Sequence, residues 1–113
     1  MKIELNSIPE KEMPNFLGGE GTFVPHMFND GTAKIMKGRL KPHSSIGEHT
    51  HKGNCEIIFI TEGHGKCLYD GEIYELNPGD ATYCPEGHAH SLINDSDEDL
   101  VFFATVPEFN PGK

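Results

Sequence analysis

Turn-forming residues interrupt this chain at short intervals, and they constrain its fold more than any other feature of the sequence. From residue 45 onward, groups of glycine, proline, asparagine and aspartate separate short apolar segments. Their spacing of about 8–12 residues is typical of β-sandwiches and barrels. The 113 residues include 13 glycines and 8 prolines, which disfavours the long uninterrupted segments of a helical bundle. The chain is therefore expected to fold as one all-β domain.

Nine segments have the length and the residue types of short strands. The first is an edge strand, because Pro25 has no N–H group to donate to a ladder. Between the fifth and the sixth, the pair Asp70-Gly71 predicts a two-residue hairpin turn of type I′. The predicted strands cover residues 22–28, 33–41, 45–51, 55–61, 65–70, 72–76, 80–84, 89–94 and 99–106.

Segment 33–41 is ambiguous, because its residues have good helix propensity while Gly38 interrupts a short run. We interpret it as a strand. Alternation then places Met36, Gly38 and Leu40 on one face. Arg39 faces the opposite way.

An N-terminal arm, residues 1–20, precedes the barrel domain, which is predicted to cover residues 21–113. Pro9, Pro14 and a glycine pair exclude a long helix, so we expect an extended arm with one early strand around Ile3–Leu5. Such an arm either packs on its own domain or lies along a neighbouring subunit. The second arrangement, together with the unpaired edges of a small open barrel, favours a homodimer.

The charge of the chain excludes several classes of partner. Its formal net charge is −9 at pH 7, whereas nucleic acids and anionic membranes select clusters of Lys and Arg. Arg39 is the only arginine, which weakens the case for a phosphorylated substrate. We therefore expect no nucleic acid and no membrane among the partners.

Cysteine usage and the N-terminus indicate the compartment. Cys55, Cys67 and Cys84 are an odd number and form no CxxC pair, so a disulfide framework is not expected. Cys55 neighbours Glu56 and should face away from it, and Cys84 is expected in the core. The N-terminus lacks the apolar segment of a signal peptide, which predicts a cytoplasmic protein with reduced thiols.

A candidate metal site begins at His49 and His51. On a strand, residues two apart point to the same face and lie about 6.5–7 Å apart, so the two imidazoles can converge on one ion. The turn after them leads to Glu56 on the returning strand, where it shares a face with Ile58 and Ile60. An unpaired carboxylate on such an apolar face would be costly, and metal coordination would offset that cost.

A fourth candidate ligand, His90, follows a Pro-x-Gly turn far downstream and begins another apolar strand. Three imidazoles and one carboxylate suit Mn, Fe, Co, Ni or Zn. They would form one site only in a fold that brings the two stretches together.

Both stretches resemble the two sequence motifs of the cupin family, over about residues 33–106. The first motif corresponds to His49-x-His51-x4-Glu56-x6-Gly63. The second corresponds, at every fixed position, to Gly79-x5-Pro85-x-Gly87-x2-His90-x3-Asn94. One departure is that the first motif usually opens with a glycine, and His43 occupies that position here. The resemblance implies a small antiparallel jelly-roll barrel (a double-stranded β-helix) with one divalent metal held by His49, His51, Glu56 and His90.

Further residues are candidates for roles around this site. His88 is either a proton carrier or substrate ligand beside the metal, or a histidine at the rim of a turn. Tyr83 either lines the cavity as a catalytic group or belongs to the core. Asn94 is expected to hold a turn, and the acidic run 95–99 lacks the spacing of a calcium loop and is expected to be a solvated turn. His43 and His26 are expected at the surface or the cavity rim.

Three imidazoles and one carboxylate leave two positions open on an octahedral ion, where a bidentate small molecule or dioxygen can bind. We therefore expect a metal-dependent enzyme that acts on a small oxygenated metabolite, a sugar or an organic acid, as an isomerase, an oxygenase or a decarboxylase. The alternatives are a non-catalytic cupin that binds or senses a small molecule, and a barrel whose metal is structural. Cupin decarboxylases acting on oxalate are commonly two-barrel chains, which weakens that assignment for a single barrel.

Overall fold

Strands account for most of the regular structure in the computed structural model, which describes residues 1–110. The last three residues of the predicted domain, 111–113, lie outside that part. Two short 3₁₀ turns occur in the arm, at Leu5–Ser7 and Phe16–Gly18. The strands are β1 Met13–Pro14, β2 Thr22–Asn29, β3 Ala33–Leu40, β4 Ser44–Ser45, β5 His49–Thr50, β6 Glu56–Glu62, β7 Gly65–Tyr69, β8 Glu72–Leu76, β9 Ala81–Cys84, β10 Ala89–Asn94 and β11 Leu100–Pro107.

Two antiparallel sheets face each other and form the barrel. One has the strand order β1-β2-β3-β11-β6-β9, and the other has the order β4-β10-β7-β8, with β5 also paired to β10. The chain crosses between the sheets repeatedly, which is the topology of a double-stranded β-helix. The predicted all-β jelly-roll fold is confirmed.

Local patterns predicted most strands to within about one residue, and β10 matches the prediction at both ends. The main exception is segment 45–51, which divides into β4 and β5. Between these two strands, the N–H of Gly47 donates to the carbonyl of Phe16 at 3.0 Å, so this segment leaves the ladder to meet the N-terminal arm. The early strand expected around Ile3–Leu5 was wrong, because Leu5–Ser7 forms a 3₁₀ turn.

Apolar side chains on the inner faces of both sheets form the core. As predicted, Met36, Gly38 and Leu40 of β3 are buried on one face. Gly38 leaves space for two aromatic rings, because a Cβ there would come within 2.8 Å of both Phe23 and Phe102. Those rings stack with centroids 5.9 Å apart, so this glycine lets side chains of β2 and β11 meet across β3.

Turn residues adopt the conformations that their positions require. Asp70 and Gly71 both have positive φ, 47° and 84°, which confirms the predicted type I′ hairpin. His43 has a φ of 55°, so it adopts the left-handed conformation that the glycine of the family motif would favour. Its side chain is exposed and contacts Asp97 at 2.6 Å. His26 is instead half-buried beneath the arm, where its Nδ1 meets the carbonyl of Ile8.

Asn94 holds the acidic turn in place, as expected. Its side chain is 1% exposed, and its Nδ2 donates to the carbonyls of Leu40 at 2.8 Å and Glu98 at 2.7 Å. Its Oδ1 accepts from the backbone of Ser96 at 3.0 Å. One buried amide therefore joins the end of β3 to the turn before β11.

The N-terminal arm packs on the barrel of its own chain. Its strand β1 pairs with β2, and Glu10 accepts hydrogen bonds from Arg39 at 2.9 and 3.2 Å. Lys41 pairs with Glu12 at 2.9 Å. The sequence argument for a dimer placed this arm on a neighbouring subunit, so the described contacts remove that support.

Among residues 1–110, no helix has the length and apolar character needed to cross a membrane. Cys55, Cys67 and Cys84 are buried and unpaired. Burial raises the pKa of Cys84 to about 11, so this thiol stays protonated near neutral pH and acts as a small core residue.

Candidate metal centre

Strand pairing brings the two distant motifs together. His49 on β5 lies directly opposite His90 on β10, and Glu56 is the first residue of β6. His51 follows β5, and its N–H donates to the carbonyl of His88 at 3.1 Å. The fold therefore brings the two sequence stretches together at one site, although His49 and His90 are 41 positions apart in the sequence.

Four donor atoms converge at this point. The Nε2 atom of His90 lies 3.0 Å from the Nε2 atoms of both His49 and His51. The Oε1 atom of Glu56 lies 2.9 Å from Nε2 of His90, 3.2 Å from that of His51 and 3.8 Å from that of His49. One ligand atom from each residue lies within 4.8 Å of the others, so the four residues predicted as ligands form one group that could hold a metal ion.

These separations are those of atoms that share one ion. Two donors at right angles, each about 2.1 Å from a metal, are about 3.0 Å apart, whereas a tetrahedral angle gives about 3.4 Å. The two imidazole separations of 3.0 Å match the right angle. With an N/O donor set, the four residues fit a divalent transition metal.

Outer contacts orient two of the imidazoles. Nδ1 of His49 donates to the carbonyl of Gly47 at 2.8 Å, and Nδ1 of His51 donates to Oδ1 of Asn54 at 2.7 Å. Each contact holds a proton on Nδ1, so Nε2 is the nitrogen that a metal would take after displacing any proton there. Asn54 was interpreted from the sequence only as turn material, and no local signal distinguished it from other turn residues.

The carboxylate of Glu56 is charged despite its burial. Burial raises the pKa of Glu56, but the hydrogen bonds from His49, His51 and His90 outweigh this effect and hold the pKa well below its usual range. The hydrogen bond between His51 and Glu56 is also the main cause that raises the pKa of His51. The centre therefore presents a negative charge among imidazoles, as a cation site requires.

Two cavities reach this centre from different sides. One, of about 280 Å³, touches three of the four candidate ligands and is otherwise mostly apolar; we call it the apolar cavity, and it is bounded by Phe16, Leu17, Met36, Phe102, Val106 and the ligands His49, His51 and Glu56. The other, of about 320 Å³, lies between the edge strands β8 and β9 and reaches His90; we call it the edge cavity, and it is bounded by Tyr69, Tyr74, Leu76, Thr82 and Tyr83.

The two predicted catalytic residues lie outside the ligand group. Tyr83 pairs with Ile57 in the β6–β9 ladder, so it faces away from Glu56, and its side chain is 59% exposed at the mouth of the edge cavity. His88 is half-exposed before β10, with Nδ1 2.5 Å from Oδ2 of Asp70 and 3.2 Å from the hydroxyl of Tyr69.

Thr82 supplies a polar group that the sequence did not single out. It pairs with Ile58 and so lies on the inner face of β9. Among the described residues, its buried hydroxyl oxygen finds no hydrogen-bond partner. This group could contact a molecule in the edge cavity, but residue type alone does not distinguish it from other strand threonines.

Comparison with known proteins supports the family resemblance. An "Oxalate-binding protein" of Thermotoga maritima is 29% identical over 112 residues, which cover 94% of this chain and 93% of the relative. The crystal structure of a predicted oxalate decarboxylase from Thermotoga maritima superposes with a TM-score of 0.88 at 27% identity, over 96% of this chain and 99% of that one.

A larger relative matches over part of its length. "Quercetin 2,3-dioxygenase" of Bacillus subtilis is 26% identical over 116 residues, which cover 92% of this chain and 34% of the relative, so the chain spans about one third of that protein. The family model described as "Cupin domain" matches residues 36–106, which include all four candidate ligands. The chain belongs to the cupin family.

Proposed function

We propose that this protein is a metal-dependent enzyme that binds a small oxygenated metabolite at one divalent metal held by His49, His51, Glu56 and His90. The observation that carries the proposal is the convergence of three Nε2 atoms and one carboxylate oxygen beside two cavities. Mn, Fe, Zn, Ni or Co suits this donor set. When bound, such an ion supplies Lewis-acid or redox chemistry to an oxygen ligand.

Two relatives support a small oxygen-rich ligand. One is named for binding oxalate and the other for oxidising quercetin. The oxalate-binding relative matches over 93% of its length, so a chain of this length is compatible with an oxalate-like ligand.

The chain offers two proton carriers near the site. Nδ1 of His88 lies 3.2 Å from the hydroxyl of Tyr69, which lines the edge cavity. The same Nδ1 contacts Oδ2 of Asp70 at 2.5 Å and therefore donates its proton to this carboxylate, so Nε2 is the ring nitrogen that remains for proton exchange. Tyr83 stands at the same mouth with an exposed phenol. Both stay candidates for acid–base roles.

Metal content and turnover together test the proposal. Protein purified without an affinity tag is expected to contain about one transition metal per chain by elemental mass spectrometry. Oxalate, 2-oxo acids, diketones and aldoses are then incubated with the loaded protein, with and without dioxygen, and products are identified by mass spectrometry. Failure to bind any divalent metal after reconstitution would overturn the proposal.

The alternative is a cupin that binds or senses a small molecule without converting it. Its support is the oxalate-binding relative, whose name describes binding and not conversion. Tight calorimetric binding of a ligand, with no product over many hours, would favour this alternative. Measurable product formation that is lost with the metal would favour the enzyme.

We further propose that the protein is cytoplasmic. It is also proposed to form a homodimer through the outer face of its six-stranded sheet. Phe59 pairs with Phe103 in the β6–β11 ladder, and these side chains are 53% and 40% exposed. Ile57, opposite Thr105 in the same ladder, continues the patch. A second copy would cover these rings. Sedimentation velocity is expected to show a dimer that Phe59→Lys dissociates, and a monomeric wild-type protein at micromolar concentration would contradict this.

A further inference from the structure

The apolar cavity has walls that do not suit a wholly polar ligand. Apart from the metal-ligand candidates, the cavity is lined mainly by aromatic and aliphatic side chains, and its volume is about 280 Å³. Phe16 and Leu17 of the N-terminal arm close one side, while Phe102 and Val106 of β11 form another. Hydroxyl groups of a sugar placed against these walls would lose their hydrogen bonds to water without replacement.

One cation faces into this cavity. Lys34 belongs to β3, whose even-numbered positions point inward, as Met36 and Leu40 show. It lines the apolar cavity together with His51 and Glu56. Among residues 1–110, no carboxylate lies within 4.0 Å of the Lys34 ammonium, whereas Lys41 and Lys66 both have such partners.

The Lys34 ammonium lies beside the metal-ligand group. Lys34 lines the apolar cavity together with His49, His51 and Glu56. The cation and the proposed metal therefore border the same cavity. An anion that enters the cavity would meet both.

We propose that the apolar cavity binds a carboxylate that has a second oxygen on the adjacent carbon and an apolar body, that is, a 2-oxo or 2-hydroxy acid with a carbon chain or ring. The two oxygens face the metal-ligand group, Lys34 offsets the negative charge, and the body lies against Met36, Phe102 and Val106. This inference rests on the proposed function, because the metal supplies the second attraction for the oxygens.

The cavity walls predict a gradient of affinity along a series of ligands. Each methylene moved from water to an apolar wall improves binding about fourfold. Pyruvate, 2-oxobutanoate, 2-oxopentanoate and 2-oxohexanoate are titrated calorimetrically into the full chain loaded with Mn²⁺. The dissociation constant is expected to fall about fourfold with each added carbon until the cavity is full, and a flat series would overturn the inference.

Lys34 is tested with a matched lysine on the same strand. Lys34→Met keeps the apolar stem and removes the charge, and it is expected to weaken binding of every acid about tenfold. Lys37 faces the outer side of β3 and contacts Asn6 at 3.3 Å, so Lys37→Met should leave affinity unchanged. Equal effects of the two substitutions, or no effect of Lys34→Met, would contradict the assignment.

Leu17 tests the apolar wall without disturbing the core. Its φ is 53° and its side chain is 51% exposed, so asparagine, which tolerates this backbone conformation, should fit there. Leu17→Asn is expected to weaken 2-oxohexanoate about fourfold or more and to leave oxalate unchanged. If Leu17→Asn weakened the binding of both ligands, or of neither, the proposed role of the apolar wall in binding would be contradicted.

Oxalate separates the failure of this inference from the failure of the proposed function. It can chelate a metal but has no apolar body. If oxalate binds only to the Mn²⁺-loaded protein while the 2-oxo acid series is flat, the metal-dependent function stands and the inference is wrong. If neither oxalate nor any 2-oxo acid binds the loaded protein, both are wrong.

Discussion

His49 and His90 face each other across the β5–β10 ladder, with their Nε2 atoms 3.0 Å apart. This pairing joins the two motif segments at one point. Because each imidazole is carried by a strand, the separation of the two nitrogens is set by backbone hydrogen bonds before any ion binds. The candidate site is thus largely preorganised.

Removal of one imidazole should weaken metal binding. His49→Ala is expected to reduce metal content from about one to less than about 0.1 per chain after dialysis, because the loss of one of four donors lowers the affinity for the ion. His64 is exposed and bonds to Asn77, so His64→Ala is the matched control and should retain full metal content. Elemental mass spectrometry provides the measurement, and an unchanged metal content in His49→Ala would refute the ligand assignment.

Metal removal should lower stability in the wild-type protein. An ion that binds only the folded chain stabilises it by about 4 kcal/mol when its concentration is a thousand times its dissociation constant. Added Mn²⁺ is therefore expected to raise the Tm of chelator-treated wild-type protein. The Tm of His49→Ala should not respond, and a comparable rise in that variant would point to a different binding site.

Asn54 should control metal affinity through His51. Asn54→Ala removes the oxygen that accepts the Nδ1 proton of His51 at 2.7 Å, so the ring loses its fixed orientation. Loss of such an outer contact typically weakens metal binding about 10–100-fold. Asn77→Ala is the control, since Asn77 contacts only the exposed His64 among the described imidazoles. Competition with a chelator measures the affinity, and equal affinities in both variants would exclude this role.

Acid should weaken metal binding. Glu56 raises the pKa of His51 through its hydrogen bond, so in the metal-free chain this imidazole keeps its proton to a higher pH than a free imidazole does. A metal must displace that proton. Its affinity is therefore expected to fall as the pH drops through the raised pKa of His51, by about tenfold per pH unit for each displaced proton. Calorimetry in buffers of different ionisation enthalpy counts the released protons, and a pH-independent affinity would contradict the imidazole ligands.

Asn94 should contribute to stability but not to metal binding. Asn94→Ala removes the amide that donates to the buried carbonyl of Leu40 and to the carbonyl of Glu98, and this is expected to lower the free energy of unfolding by about 1–3 kcal/mol. Asn6→Ala removes an exposed contact to Lys37 and should change it by less than about 0.5 kcal/mol. Urea denaturation of both variants tests the difference, and metal content should stay at the wild-type level in each.

Much of the fold follows from local chemistry. Strand alternation and turn residues act within a few positions, which is why β10 and the Asp70-Gly71 hairpin were predicted closely. Segment 45–51 was predicted as one strand because its residues favour extended backbone. In the structure it forms two strands, because the N–H of Gly47 between them donates to the N-terminal arm.

The sequence by itself determined the β class, the faces of the strands and, through the resemblance, the four candidate ligands. The convergence of those ligands was decided by tertiary structure, because pairing of β5 with β10 joins segments that are distant along the chain. The position of Lys34 beside a cavity was also decided by tertiary structure, because a lysine is expected on the solvated surface of a protein. Only the closed barrel shows that this position faces a cavity, because burial depends on what packs opposite a side chain and not on its neighbours in sequence.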